Sequence, residues 1–366
     1  MKLPDFKTEQ WMNVHEGNAV YNLTDSCVMP LTFQQLLSMD RDHDLDDVRM
    51  DYGTITGDPR LKKEILKMYR SAAEDNITFG QGCLQCSEMV MYTLLSPGDT
   101  VVTYTPSYQQ FTDIPASIGC SVIQLKLYEE QGWQPLVSEL EEVMQKPVRM
   151  VIINQPNNPT GSVFERAYLD RLISLCRKQG TWILCDEVYR GLYEEEISLS
   201  DLYEKCVCTS GLSKLYSLAG LRLGWIRGPR EVIDLVNVRR DYSIISTGAL
   251  TDTLALVALK NREKIIQRSL DIIEGCRREI TEWLKHEARV SLVMPKYGTV
   301  SFPKYESRLS SSELAEGIQQ KYGVFFVPGS CFDCEKHLRL TMTCPADTMR
   351  EGLRLLSRYL DEADNS

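Results

Sequence analysis

Between Asn76 and Asp186 the chain alternates short extended runs with longer segments whose apolar residues recur at helical spacing. The extended runs fall at 77–79, 101–104, 120–126, 148–154 and 182–185, and most of them are apolar on every residue. The segments between them, at 83–95, 140–144 and 168–178, have helical composition. A strand without a polar face must be covered on both sides, so this alternation predicts an α/β fold with a mainly parallel, doubly wound sheet. Open sheets of this kind bind ligands at the carboxyl ends of their strands. Tyr108, Asn158 and Asp186 each lie just past such an end, and the pattern brings them toward one crevice.

Elsewhere the pattern is less regular. Residues 31–37 predict a short helix capped by Thr32, and Asp58-Pro59 predicts a second helix start, followed by Leu61, Ile65, Leu66 and Tyr69 at helical spacing. The acidic run 40–47 reads as a solvated face. After the stretch 209–225 come a helix at 231–238 and a long one at about 262–286, with Ile266, Leu270, Ile273, Ile280 and Leu284 along one side. Shorter strands at 292–294, 324–327 and 337–340 and a closing helix at 347–360 predict a second, smaller α+β unit. Residues 1–30 show no period, with Phe6, Trp11 and Tyr21 as their aromatic anchors, and 361–366 read as a frayed tail. The expected division is a large domain over 32–265 and a small domain built from 1–31 and 266–366.

The 366 residues, 43% hydrophobic and 25% charged, are ordinary for a globular chain. A net charge of −10 opposes a nucleic-acid partner. No apolar run approaches the roughly 20 residues of a membrane helix, and the start lacks the apolar core of a secretory signal. A cytoplasmic location is the expectation. The 12 cysteines are scattered and several sit in apolar runs, as Cys176 and Cys185 do, which suits free thiols in a reducing compartment. Two Cys-x-x-Cys pairs, Cys83/Cys86 and Cys331/Cys334, lie too far apart in sequence for a zinc ribbon, and no metal is expected.

The chemistry gathers in Thr209-Ser210-Gly211-Leu212-Ser213-Lys214, with Arg222 eight residues beyond the lysine. Burial and a neighbouring guanidinium both disfavour a protonated amine, so Lys214 is expected to have a lowered pKa and to serve as a nucleophile toward an aldehyde. An arginine beside it can hold that aldehyde's phosphate. Gly80-Gln81-Gly82 opens a helix directly after a strand, leaving unpaired backbone N–H groups that suit an anion.

Four motifs in series, Tyr52-Gly53-x-x-x-Gly57, Asn158-Pro159-Thr160-Gly161, Asp186-Glu187-Val188-Tyr189 and Ser213-Lys214 with Arg222, resemble the fold-type I pyridoxal-phosphate aminotransferases of class I/II, related to aspartate aminotransferase. The resemblance covers nearly the whole chain. It implies pyridoxal 5'-phosphate as cofactor, an amino acid and a 2-oxo acid as substrates, and transamination through an internal aldimine on Lys214. Asp186 would pair with the pyridine nitrogen. Asn158 and Tyr189 would bond the phenolic oxygen, and Tyr108 would stack on the ring. Arg222, Ser213 and the backbone of Cys83 and Leu84 would cradle the phosphate, and Arg339 would take the substrate α-carboxylate. The tyrosine matching Tyr52 reaches the neighbouring subunit's phosphate, which implies a homodimer with shared sites. One departure stands out: Gly211 occupies a position where the family commonly has serine or threonine, with Ser210 as a possible substitute. The four histidines, His15, His43, His286 and His337, read as surface or packing residues.

Trp11-Met12 and Ser107-Tyr108-Gln109-Gln110 give a weaker, partial resemblance to capreomycidine synthase, which keeps the cofactor but cyclises a hydroxylated arginine. A lyase or cyclase is therefore the alternative activity. A third class, regulators that carry an aminotransferase-like domain without turnover, calls for a DNA-binding extension, and only 51 residues precede Tyr52. The resemblance also places the side-chain-binding arginine of aspartate-type enzymes within about 241–250. No arginine occurs there, although Arg239 and Arg240 lie just before it. A neutral or cationic amino acid is expected, with Asp241 as a partner for the cation.

Overall fold

The computed structural model describes residues 2–40, 45–191 and 197–364. Seven strands form the main sheet: β1 Ile77–Gly80, β2 Thr100–Thr105, β3 Ser121–Lys126, β4 Met150–Asn154, β5 Trp182–Asp186, β6 Cys206–Gly211 and β7 Gly224–Arg227. Their spatial order is β1-β7-β6-β5-β4-β2-β3. All neighbours are parallel except β7, which runs antiparallel to both β1 and β6. Every residue of β4 and β5 is buried. Met150 and Ile152 pack on one face with the helices Gly82–Leu94 and Arg230–Arg240, while Val151 and Ile153 pack on the other with Arg166–Gln179. Each such side chain, withdrawn from water, stabilises the fold by roughly 1.5–3 kcal/mol. The doubly covered sheet predicted from uniformly apolar strands is what the chain forms.

A smaller antiparallel sheet lies beyond it: β8 Val300–Ser301, β9 Val327–Pro328 and β10 Leu338–Thr341, with β10 in the middle. The long helix Arg262–Leu284 packs against the closing helix Ala346–Asp364. The N-terminal chain joins this part, because Tyr21–Asn22 pairs in parallel with Val324–Phe325. That pairing leads residues 24–27 past β10, where Thr341 N–H donates to Leu23 O and Val28 N–H to Lys214 O.

Several elements differ from the sequence reading. Helix α1, Lys7–His15, lies where no period was visible. The helices Gln110–Ile118, Ala249–Lys260 and Ser311–Tyr322 and the strands β6 and β7 also went unread. The strand expected at 292–294 falls instead at Val290–Ser291, where it pairs with Lys304–Tyr305. The expected tail is ordered helix as far as Asp364, because the apolar face of Ala346–Asp364 keeps packing to Leu360. The acidic run 40–47 lies partly outside the described residues, as does His43. His337 is buried and stacks on Phe302, and His15 stacks on Trp11. All 12 cysteines are free thiols.

Candidate active site

Turns at the carboxyl ends of β2, β4, β5 and β6 open onto a cavity of about 450 Å³. Tyr108, Asn158, Asp186, Tyr189, Ser213, Lys214, Arg222, Arg339, Cys83 and Leu84 all line it. Tyr52 does not: it is 63% exposed, on the surface of its own chain.

One side of the cavity is made of backbone packed too closely for side chains. Gly82 opens the helix Gly82–Leu94 at φ +80, and a Cβ there would lie 2.6 Å from an Arg222 guanidinium nitrogen. A Cβ on Gly224 would run into the backbone of Gly82 and Cys83. Arg222, in a left-handed conformation just before β7, donates from Nη2 to Gln81 O (3.3 Å) and from Nη1 to Ala219 O (3.1 Å). Its charge is thus fixed beside the unpaired N–H groups of the helix N-terminus. Gly211 has the same cause: a Cβ there would sit 2.8 Å from Leu223 O, so no serine fits. Ser210 does not substitute for it. Its hydroxyl donates to Glu187 O, away from the cavity lining.

Asp186 closes the floor. It accepts from Val188 N–H (2.9 Å) and from the Cys83 thiol (3.4 Å), and burial pushes its pKa up to about 6 despite the opposing Lys214 charge. Asn154 holds Asn158 through its N–H (2.7 Å), and Asn158 Oδ1 accepts from Arg339 Nη1 (3.4 Å). Lys214 Nζ donates to Ser26 Oγ (2.8 Å), lies 3.5 Å from Cys27 Sγ and stands 5.9 Å from the Tyr189 ring centre. Its expected lowered pKa is overturned. Burial does press it down, but Tyr189, Cys27 and Asp25 together outweigh burial and raise it. The guanidinium that opposes its charge is Arg339 rather than Arg222. Burial likewise raises the Tyr189 phenol and the Cys27 thiol, with Lys214 pulling each back.

The opposite side comes from the small sheet and the N-terminal chain. Arg339, on β10, is 4% exposed and donates from Nε to Thr24 O (3.1 Å), while Nη2 lies 3.9 Å from Met12 Sδ. Helix α1 lies across the opening. Trp11 Nε1 donates to Phe326 O (2.9 Å), and Glu9 accepts from the Tyr108 hydroxyl (2.8 Å). Phe6 packs on the Tyr108 ring at 4.9 Å. Sequence reasoning missed Thr8, Glu9, Met12, Glu16, Asp25, Ser26, Cys27 and Gln110, all of which line the cavity. Asp241 does not line it, and its nearest cation is its own neighbour Arg240, 3.8 Å away.

A strand-end cavity with a buried carboxylate, a lysine and an arginine at a helix N-terminus defines a class of protein, and the comparisons agree on which. Residues 18–356 match the family aminotransferase class I and II, and the chain belongs to that family. It is similar to capreomycidine synthase of Streptomyces vinaceus, at 26% identity over 98% of this chain and 94% of that one. To aspartate aminotransferase of Thermotoga maritima it is 26% identical over 82% of this chain and 78% of the other. Among solved structures, a PLP-dependent aminotransferase from Streptococcus suis superposes with a TM-score of 0.95, at 34% identity over all of both chains. The fold is therefore that of fold-type I pyridoxal-phosphate enzymes, and the cofactor is pyridoxal 5'-phosphate. The cavity fits it: a glycine-lined cradle beside Arg222 suits the phosphate, and buried Asp186 suits the ring nitrogen.

Proposed function

We propose that the chain is a transaminase that moves an amino group between an L-amino acid and a 2-oxo acid, with Lys214 as the residue that holds the cofactor and moves the Cα proton. The observation that carries this reading is the meeting of Lys214, Asp186, Arg222 and Arg339, from three separate stretches of the chain, on one cavity. When bound, pyridoxal phosphate supplies an electron sink for the substrate's Cα electrons. Asp186, buried and held by the Val188 N–H and the Cys83 thiol, would keep the ring nitrogen protonated. Arg222 and the first turn of Gly82–Leu94 would fix the phosphate, with Ser213 at its edge. Tyr108 would stack on the ring, and Asn158 and Tyr189 would orient it through the phenolic oxygen. Arg339 can offer a carboxylate two parallel N–H groups. Ser26 and Cys27, touching Lys214 Nζ, would steer the amine between cofactor and substrate.

A homodimer completes the reading. Exposed Met50, Tyr52 and Ile55 on one segment and Leu235, Val238, Tyr242 and Ile245 on another suit an apolar subunit interface. From there Tyr52 would reach the neighbouring subunit's phosphate. The two-domain division at 32–265 against 1–31 and 266–366 belongs to this reading, with its boundary in the first turn of the helix Arg262–Leu284. A cytoplasmic location is consistent with the free thiols. No helix among the described residues is long and apolar enough to cross a membrane.

Elimination or cyclisation of an arginine derivative is the second reading, favoured by the near full-length match to capreomycidine synthase. Incubation of the holoenzyme with an amino-acid panel and an oxo-acid acceptor separates the two. Transamination yields the 2-oxo acid of the donor, whereas a donor that loses water or ammonia and yields no matching oxo acid selects the second.

A further inference from the structure

Helix α1 presents Glu9, Met12 and Glu16 at i, i+3 and i+7, one face of the helix, and all three line the cavity. Glu16 is the C-cap residue and keeps helical backbone angles, so the face continues to it. Met12 Sδ touches Arg339 Nη2. One carboxylate therefore stands about one turn, roughly 5 Å along the axis, on either side of the arginine contact. Asp25, from the strand-led N-terminal chain, adds a third carboxylate to the lining.

Carboxylates at the mouth of a cleft are often solvated and nothing more. Here none of the three has an ion-pair partner among the described residues. The Glu16 carboxyl is raised, first by burial and then by repulsion from Asp25 and Glu9, with the Arg339 charge pulling it back, so the three carboxylates and the arginine share one field. Two buried polar side chains of the lining, Arg339 at this end and Gln110 beside Leu84, present groups that a ligand would meet. Arg339 is a nearly fully buried cation facing the cavity, with no carboxylate at ion-pair distance among the described residues. Gln110 is 5% exposed and lines the same cavity; its amide nitrogen donates to Leu84 O, while its Oε1 has no donor.

We propose that Glu9, Glu16 and Asp25 select a substrate with a cationic side chain, so that the pocket takes a basic amino acid with its α-carboxylate on Arg339. The selection rests on the aminotransferase-type site described above. A basic amino acid carries one anionic end and one distal cation, which matches a buried guanidinium flanked by carboxylates that form no ion pair among the described residues. A second carboxylate on the substrate would instead meet three like charges. A neutral side chain would leave them as they are. The partner for the cation thus comes from the N-terminal helix and not from Asp241.

Binding of substrate analogues that lack the α-amino group tests this without any group transfer. The holoenzyme is titrated calorimetrically with 5-guanidinopentanoate and its neutral isostere 5-ureidopentanoate, with glutarate as the dicarboxylate. The guanidino compound should bind about tenfold more tightly than the ureido compound at low salt, the sum of two or three partly exposed ion pairs. The ratio should shrink in 0.5 M salt, because exposed pairs are screened. It should also shrink toward one in Glu16→Gln and in the double variant Glu9→Gln/Glu16→Gln. Equal affinities in the wild type, an unchanged ratio in the double variant, or tightest binding of glutarate would each overturn the assignment. Failure of the transamination reading would show differently, as arginine or lysine giving no oxo acid while the binding ratio stands.

Discussion

The two sides of the cavity are built on opposite principles. The cofactor side is backbone against backbone: Gly82, Gly211 and Gly224 leave no room for a Cβ, and Arg222 is pinned to Gln81 and Ala219. The substrate side is side chains carried in from far along the sequence, with Arg339 on β10 and Met12 and Glu9 on a helix near the first residue. The first side has no room for a side chain at these glycines and, in the proposed reading, would serve any substrate. The second is held through side-chain contacts and, in the proposed reading, would set which substrate is served. Chemistry common to a family would thus reside where backbone packs on backbone, and selectivity where side chains meet.

The largest effect that would test this contrast is at the lysine shared by both sides. Lys214→Ala should lower the transamination rate by about 10⁴-fold, the upper end of what a positioned acid–base group supplies, because no other lysine among the described residues lines the cavity. A loss of less than tenfold in steady-state assays would place the proton transfer elsewhere.

Restoring the family's common side chain should harm the cofactor side. Gly211→Ser would press its Cβ on Leu223 O and should cost about 1–3 kcal/mol in denaturant unfolding, with weaker cofactor retention. A variant that holds the cofactor more tightly at unchanged stability would contradict the packing argument.

Asp186 gives the next effect. Its folded-state pKa of about 6 exceeds the ordinary 3.8, so between pH 4 and 6 the folded, cofactor-free chain binds more protons than the unfolded one. Stability contributed by this group is therefore present at low pH and falls as pH rises through that window. Asp186→Asn removes the loss, and the cofactor-free variant should gain on the wild type by roughly 2 kcal/mol on passing from pH 4 to 7. Parallel stability curves for the two proteins would show that Asp186 ionises freely in the fold.

The substrate side should respond mildly. Trp11→Ala breaks the bond to Phe326 O and loosens α1, which should raise KM about three- to tenfold with little change in kcat, as expected when ground-state and transition-state binding are lost together. A large fall in kcat with KM unchanged would mean that α1 shapes the chemistry itself.

Legibility in the sequence follows the same divide. Uniformly apolar strands, the Asp58-Pro59 cap and the strand-end positions of Asn158 and Asp186 could be read because each rests on local residues. Helix α1 could not, since its N-cap Phe6 offers no capping side chain and its apolar residues are few. Ala249–Lys260 is buried over most of its surface, so it has no amphipathic stripe to reveal it. Pro115 interrupts the pattern of Gln110–Ile118. Ser311–Tyr322 did carry a signal, the capping box of Ser310 and Glu313. The lowered pKa expected for Lys214 failed for a related reason: beside Tyr189, the groups that raise it include Cys27 and Asp25, which arrive from nearly 190 residues away by a strand pairing that no local pattern marks.

The central claim is that both sides meet on Lys214. Borohydride reduction of the cofactor-loaded protein, followed by peptide mapping, tests it directly. The account predicts the pyridoxyl group on the peptide that contains Lys214. A label on another lysine, such as buried Lys62, or none on a protein that retains its cofactor, would contradict it.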